Sequence, residues 1–184
     1  MKIKNPWEIL QNSESAECKY FMDLFKQYND SIGGALGILK EQPQDIQGRD
    51  KEIEMLYRIL ERPKTPIAIL IGHAGVGKTA LVEEFAKQLN SGNYNTRLKY
   101  NYMLLSLRLG MLGSIGVSKL QSTLATILDT LKNFETLAQK ALKDENLRLV
   151  LFIDEIHMSV TIFGPGTKIG GDVMKDVLAR SPLR

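Results

Sequence analysis

Cysteine, tryptophan, proline and long hydrophobic runs are all scarce in this sequence. Its 184 residues include 1 Cys, 1 Trp and 6 Pro. Because Cys18 is the single cysteine, no disulfide can form within the chain, as is typical of a reducing compartment. No apolar stretch approaches the roughly 18 residues that a transmembrane helix needs. The N-terminal MKIKNPWEIL also lacks the apolar core of a signal peptide. These absences predict a cytoplasmic protein with no membrane partner.

The charge of the chain points to no particular partner. The formal net charge is +3, and charged residues make up 24% of the chain against 43% hydrophobic residues. These are ordinary proportions for a globular protein, and the basic residues form no long run. Nucleic acid is therefore not expected as a partner, and a nucleic-acid motor stays open only through the slight positive charge.

Apolar runs and helical periodicity alternate along the chain. Ile67–Ile71 is a continuous apolar run that predicts a strand buried on both faces, and Tyr102–Leu107 and Leu149–Ile153 predict two more strands. Between them, Lys78–Leu89 and the apolar positions from Leu120 to Phe134 predict helices. Strands that alternate with helices are typical of an α/β fold, so we predict a parallel sheet flanked by helices.

The remaining segments give weaker expectations. We predict a loop followed by a helix over about 15–28, and a second helix over about 51–61 with Asp50 as its N-cap. The glycine-rich stretch Ser31–Leu39 is expected to be irregular. Asp172 is expected to cap a helix that runs to about Arg180.

The segment GHAGVGKT matches the phosphate-loop pattern G-x-x-x-x-G-K-[ST], between a predicted strand and a predicted helix. Glycines let backbone N–H groups converge on phosphates at a helix N-terminus. Lys78 would reach the terminal phosphates, and the hydroxyl of Thr79 would coordinate Mg²⁺. The alternative is a glycine-rich turn with a surface lysine. The predicted ATP-binding residues are Gly72, His73, Ala74, Gly75, Val76, Gly77, Lys78, Thr79 and Ala80.

Two carboxylates follow the predicted strand Leu149–Ile153. Because ligands bind at the carboxyl ends of strands in open α/β sheets, Asp154 and Glu155 should face the phosphate loop. Asp154 is then a candidate Mg²⁺ ligand with Thr79, and Glu155 a candidate general base that polarises the attacking water. A plain strand end remains the alternative interpretation.

Three blocks of sequence resemble the first ATPase module of the Clp family of AAA+ protein unfoldases and disaggregases: IQGRDKEIEMLYRIL, ILIGHAGVGKTALVEEFA and LVLFIDEIH. The segment GGDVMKDVLAR is a weaker fourth match. The resemblance implies the P-loop NTPase fold of an AAA+ large subdomain. It divides the chain into an N-terminal helical or irregular segment and linker, 1–40, and a partial AAA+ nucleotide-binding domain, 41–184.

The resemblance also implies contacts and partners that the residues alone do not give. Ile46 and Gln47 match the family segment that packs against adenine, whereas the residues alone predict only a turn and a helix cap around Gly48 and Arg49. The family assembles into hexameric rings and acts on protein clients, in some cases with a peptidase partner. These features are expected here in the intact protein, with ATP or ADP as ligand.

The chain departs from the family pattern at several positions. His73 and Ala74 stand where the family usually has Glu and Pro, and His73 is either a titratable group near the phosphates or a solvent-facing side chain. The stretch that matches the family pore loop, Gly113–Ser118, has no aromatic residue. After Arg180 the family continues into a sensor strand and an arginine finger, so the fold is expected to be incomplete at its C-terminus.

Two functions follow from these observations. The first is ATP binding and hydrolysis within a Clp-like protein-remodelling ATPase, with Lys78 and Glu155 as catalytic residues and this chain alone catalytically incomplete. The second is a nucleotide-dependent assembly module with little or no hydrolysis, which the missing aromatic, sensor and finger elements favour.

Overall fold

Helices and strands alternate in the computed structural model, which describes residues 5–39, 46–63, 66–91, 98–115, 117–154 and 183. The elements are α1 (Pro6–Asn12), α2 (Ala16–Ser31), β1 (Leu36–Ile38), α3 (Asp50–Leu60), α4 (Lys78–Ser91), β2 (Asn101–Arg108), a 3-10 helix (Leu109–Ile115), α5 (Val117–Leu142) and β3 (Leu147–Asp154). The predicted helices α2, α3, α4 and α5 and the predicted strands β2 and β3 are thereby confirmed. The predicted helix Asp172–Arg180 lies outside the described residues.

The three strands form one mixed sheet in the order β1-β2-β3. β2 and β3 are parallel, with Asn101 opposite Leu147 and Arg108 opposite Asp154. β1 is antiparallel to β2, so the sheet is mixed, and the predicted parallel pairing is found between β2 and β3. Helices cover both faces, and the layered α/β architecture is the one that the apolar pattern predicts.

The stretch Ser31–Leu39 is more regular than its glycines predict. After α2, Gly33 and Gly34 adopt φ values of 70° and 71°, which favour glycine and reverse the chain. The Asn29 side chain then bonds both backbone groups of Leu36, donating to its carbonyl and accepting from its amide, each at 2.9 Å. This pair of bonds aligns Leu36 for strand pairing, so the prediction of an irregular segment is wrong.

An aromatic cluster closes one face of the sheet beneath α1, α2 and α5. Trp7 and Phe25 lie with ring centroids 5.3 Å apart, and Phe25 meets Phe134 of α5 edge-on at 5.6 Å. The indole Nε1 of Trp7 donates to the carbonyl of Leu104 in β2 at 3.1 Å. Because a buried indole N–H needs an acceptor, this bond lets Trp7 reach 3% exposure without an unpaired polar group.

The loop expected before residue 15 is partly wrong, because Pro6–Asn12 forms α1. Pro6 occupies the start of that helix, where its missing N–H costs nothing. The side chain of Asn5 caps the helix by accepting from Trp7 N at 3.0 Å. An Asn-Pro pair before an apolar residue was therefore a usable helix-start signal.

Helices α3 and α4 cover the opposite face of the sheet. Tyr57 of α3 and Phe85 of α4 lie with ring centroids 4.6 Å apart, in a cluster that includes Tyr102 and Leu104 of β2. Asp50 is the first helical residue of α3, and the N-cap position belongs to Arg49, which makes no side-chain capping bond. The prediction of Asp50 as N-cap is thus wrong by one residue.

The predicted strand Ile67–Ile71 is not a strand in the described part of the chain. Its side chains alternate: Ala68 and Leu70 pack against the cluster under α3 and α4, whereas Ile69 is 65% and Ile71 is 92% exposed. An extended chain with period-2 alternation becomes a strand only beside a pairing partner. No described residue pairs with this segment. Because Ile69 and Ile71 are exposed, the prediction of burial on both faces was also wrong.

Side chains from α5 cover the first half of the outer edge of β3. Asn101 N of β2 donates to Asn146 O, just before β3. Because backbone groups alternate in direction along a strand, those of the even-numbered residues of β3 point toward β2, and those of Leu147 and Leu149 point away. Gln139 donates to Leu147 O at 2.8 Å, and the buried Glu135 accepts from Leu149 N at 2.7 Å. Glu135 and Gln139 lie one helical turn apart, so one face of α5 satisfies two successive edge positions.

Candidate functional site

The phosphate loop has a backbone that only glycine adopts readily. Gly75 and Gly77 have φ values of 79° and 84°, a region that costs an L-residue energy through contact of its Cβ with the following carbonyl. At Gly72 a Cβ would lie 3.0 Å from Cγ2 of Val76. The path of the loop thus favours glycine at Gly75 and Gly77, whereas a side chain at Gly72 would have to displace that of Val76.

Lys78 folds back into this loop. Its Nζ donates to the carbonyls of Gly72 and His73 at 3.0 and 2.9 Å, which places the ammonium at the mouth of the loop. Helix α4 begins at Lys78, and Leu81 N donates to Gly77 O at 2.9 Å to close its first turn. The free N–H groups of this helix end and the lysine charge together favour an anion.

Thr79 and Asp154 meet although 75 residues separate them. The Thr79 hydroxyl donates to Oδ2 of Asp154 at 3.1 Å. The contact arises because β3 ends at Asp154 on the edge of the sheet where α4 begins. A hydroxyl and a carboxylate from two elements are oxygen ligands of the kind that Mg²⁺ takes, with water and phosphate oxygens completing its shell. Among the described residues, no group of three or more His, Cys, Asp and Glu side chains is arranged to hold a metal ion by itself.

A cleft of about 1090 Å³ runs from the phosphate loop along β3. On one side it is lined by Pro66–Ile71 and on the other by Val150–Asp154. The predicted site residues that line it are Gly72, Ala74, Gly75, Gly77, Lys78, Thr79, Ala80 and Asp154.

Four of the other predicted site residues do not line the cleft. His73 and Val76 are exposed, and Gln47 is exposed beside the half-buried Ile46. None of these four side chains lines the cleft. Glu155 lies outside the described residues. The structure thus brings the loop, the lysine, the threonine and the aspartate together, and leaves the two candidate base contacts apart from the cleft.

Arg49 is a site residue that the sequence prediction treated only as part of a turn. Its Nη2 donates to the carbonyl of Val76 in the phosphate loop at 3.2 Å, and its Nη1 bonds Oε1 of Glu52 at 2.9 Å. The hydrogen bond from Arg49 lowers the pKa of the exposed Glu52 carboxyl below its usual value. The spacing of Arg49 and Glu52 across the first turn of α3 could have predicted their ion pair. Nothing in the neighbouring sequence indicates the contact of Arg49 with Val76.

No helix in the described ranges is long and apolar enough to cross a membrane.

The glycine loop between an extended apolar segment and α4, with Asp154 at the end of a parallel strand, defines the P-loop class of α/β proteins. Residues 45–162 match the family model described as AAA ATPase domain. Since that match covers more than half of the chain, the chain belongs to the AAA ATPase family.

Curated relatives narrow the type of module. The chain is 31% identical to the chaperone protein ClpB of Mycoplasma genitalium over 90% of its own length and 21% of the relative. The identity to ClpB of Clostridium perfringens is 30%, over 100% of the chain and 20% of the relative. The identity to ClpB of Corynebacterium efficiens is 35%, over 76% of the chain and 15% of the relative. The chain is thus a Clp-type AAA+ ATPase module and spans about a fifth or less of the length of these relatives.

Proposed function

We propose that this chain binds ATP or ADP with Mg²⁺ and forms part of a cytoplasmic Clp-like ATPase that remodels proteins. The observation that carries the proposal is the contact of Thr79 with Asp154, at 3.1 Å, beside the Lys78 ammonium. The hydroxyl and the carboxylate would be the protein ligands of Mg²⁺. Lys78 would exchange its bonds to loop carbonyls for bonds to phosphate oxygens, which carry the stronger charge.

In the intact protein, hydrolysis would follow from the residues around this site. The bound Mg²⁺ would neutralise charge on the transferred phosphoryl group. Glu155, the next residue after Asp154, would polarise the attacking water. A hexameric ring, protein clients and a possible peptidase partner complete this proposal and rest on the Clp-family resemblance.

We further propose that turnover needs parts that lie outside this chain. The outward-facing backbone groups of Leu151 and Ile153 in β3 have no strand partner among the described residues. Across the cleft, Ile69 and Ile71 expose apolar side chains. Unpaired edges and exposed apolar residues that face each other across a cleft favour a further strand there in the intact protein. We therefore expect the chain alone to hydrolyse ATP negligibly, and rapid turnover by the purified chain would overturn this part of the proposal.

Lys78→Ala tests the nucleotide site, with Lys19→Ala on the exposed surface of α2 as the control. Loss of a charge-assisted bond predicts an affinity for ATP·Mg²⁺ about 10- to 100-fold weaker, measured by isothermal titration calorimetry. Thr79→Val should weaken binding in Mg²⁺ but leave binding in excess chelator unchanged, since it removes a metal ligand and keeps the side-chain volume. Unchanged affinity in Lys78→Ala would refute the proposed site.

The second candidate function is an assembly module that binds nucleotide with little hydrolysis. The open cleft favours it, because the wall formed by Ile67–Ile71 pairs with no strand within the described ranges. Glu155→Gln in a protein extended beyond Arg184 separates the two: it should trap bound ATP if the intact protein hydrolyses it, and change nothing if the protein does not.

A further inference from the structure

Two cations contact the phosphate loop: Lys78, which lines the cleft, and Arg49, which does not. Arg49 immediately precedes α3, and its guanidinium reaches 27 residues along the chain to the carbonyl of Val76. Lys78 contacts the carbonyls of Gly72 and His73 instead. The two cations therefore hold different peptide units of one loop.

The peptide unit that Arg49 contacts ends in the amide of Gly77. The carbonyl of Val76 and the N–H of Gly77 belong to one planar trans unit, so they point in opposite directions. Gly77 lines the cleft, whereas Val76 and Arg49 do not. A donor that holds the Val76 carbonyl away from the cleft therefore aims the Gly77 N–H toward it. The bond from a cation also polarises the unit and strengthens that N–H as a donor.

This orientation needs an external support because Val76 lies between two glycines. Gly75 and Gly77 adopt φ values of 79° and 84°, and glycine rotates through such conformations at low cost. The φ of Gly77 therefore adds little steric restraint to the unit between Val76 and Gly77. An arginine fork supplies the restraint only if the fork itself is fixed.

Glu52 fixes the fork. Its carboxylate binds Nη1 of Arg49 at 2.9 Å, while Nη2 binds Val76 O at 3.2 Å, so different nitrogens of one rigid plane make the two bonds. Because the guanidinium is planar, fixing one nitrogen sets the direction of the other. Glu52 lies on α3, whose apolar face packs on α4, so the support is tied to the helix that starts at the loop.

We infer that Arg49 is a positioning residue that aims the Gly77 amide at the nucleotide phosphates, an inference that rests on the nucleotide site proposed above. Because Arg49 does not line the cleft, it would act through the backbone of the loop and not by contact with the nucleotide. Its effect is therefore the same for any nucleotide with the same phosphates, whatever the base.

The experiment compares Arg49→Ala with Arg58→Ala in the whole chain. Arg58 also lies on α3 and forms an exposed pair with Glu54, which makes it a matched control remote from the loop. We expect Arg49→Ala to weaken binding of ATP·Mg²⁺, ADP·Mg²⁺ and GTP·Mg²⁺ alike, on the order of 3- to 10-fold each. Arg58→Ala should bind as the unaltered chain does. A loss confined to ATP and ADP would assign Arg49 to base recognition and overturn the inference.

Arg49→Lys separates position from charge. Lysine keeps the positive charge but has no planar fork to bridge Glu52 and Val76, so it should recover little of the lost affinity. Full recovery would show that only the charge matters and would overturn the inference.

A spectroscopic measurement without nucleotide tests the loop directly. The ¹H–¹⁵N resonance of Gly77 should shift in Arg49→Ala and stay in place in Arg58→Ala. If Lys78→Ala leaves affinity unchanged, the proposed nucleotide site fails, and the Gly77 resonance still reports whether Arg49 orients the loop. If Lys78→Ala abolishes binding while Arg49→Ala changes neither affinity nor the Gly77 resonance, the inference alone fails.

Discussion

The two faces of the sheet differ in how far they are closed. On the side of α1, α2 and α5, an aromatic cluster seals the core, and even the indole N–H of Trp7 has an acceptor on β2. On the side of the phosphate loop, Ile71 is 92% exposed and a cleft of about 1090 Å³ runs along β3. The closed face gives the module its stability, whereas the open face carries the loop, the lysine and the aspartate.

The same contrast occurs within a single strand. The first half of the outer edge of β3 is satisfied by Glu135 and Gln139 of α5, whereas the second half, which leads to Asp154, lines the open cleft. Edge strands that are left unpaired invite pairing with another segment. Side chains of α5 therefore leave only the half of β3 that ends at Asp154 available for pairing with another strand.

The largest expected effect compares Trp7→Ala on the closed face with Ile71→Ser on the open face. Trp7 is 3% exposed and loses both its ring contacts and its bond to Leu104, so its removal should cost about 3–5 kcal/mol of unfolding free energy. Ile71→Ser should stay within about 0.5 kcal/mol, because an exposed side chain loses little burial. Denaturant titration followed by circular dichroism measures both, and similar costs would remove the distinction between the faces.

A smaller effect is expected at the capped half of β3. Glu135→Ala leaves the buried amide of Leu149 without its acceptor, which should cost about 2–3 kcal/mol in the same titration. Glu135→Gln loses the charge that pairs with Lys132 at 2.5 Å. Because it keeps an acceptor oxygen for the Leu149 amide, it should cost less unfolding free energy than Glu135→Ala. The exposed neighbour Thr136→Ala is the control and should change little. Equal costs for the two Glu135 variants would mean that the bond to Leu149 contributes nothing.

The smallest expected effect concerns pH and Glu52. The hydrogen bond from Arg49 lowers the pKa of this carboxyl from its usual 4.5. A lowered carboxyl pKa in the folded chain stabilises it above the unfolded pKa, and the contribution disappears as pH falls through the folded pKa. Glu52→Gln should therefore lower Tm slightly at pH 7, and the difference should vanish in the acid range below that folded pKa. Since both side chains of the pair are 44% exposed, a high salt concentration should also reduce the difference. A Tm difference that grows on acidification would contradict this account.

Local signals predicted much of the fold. The spacing of Ile53, Leu56, Tyr57 and Leu60 predicted α3, and the continuous apolar run of β3 predicted that strand. The same apolar signal failed at Ile67–Ile71, because apolar residues indicate a strand only where a neighbouring strand is present to pair. The glycine signal failed at Leu36–Ile38, where side-chain bonds from Asn29 outweigh the glycines.

By itself, the sequence determined the loop Gly72–Thr79, the amphipathic helices and the carboxylate at the end of β3. Each of these depends on residues within one or two turns of the chain, where spacing and steric limits act directly. Tertiary structure alone decided that Thr79 meets Asp154, that Arg49 holds Val76, and that β1 runs antiparallel. These contacts join residues 27 to 75 positions apart, or set the direction of one strand against another, and they form only when packed helices and strands bring distant segments together.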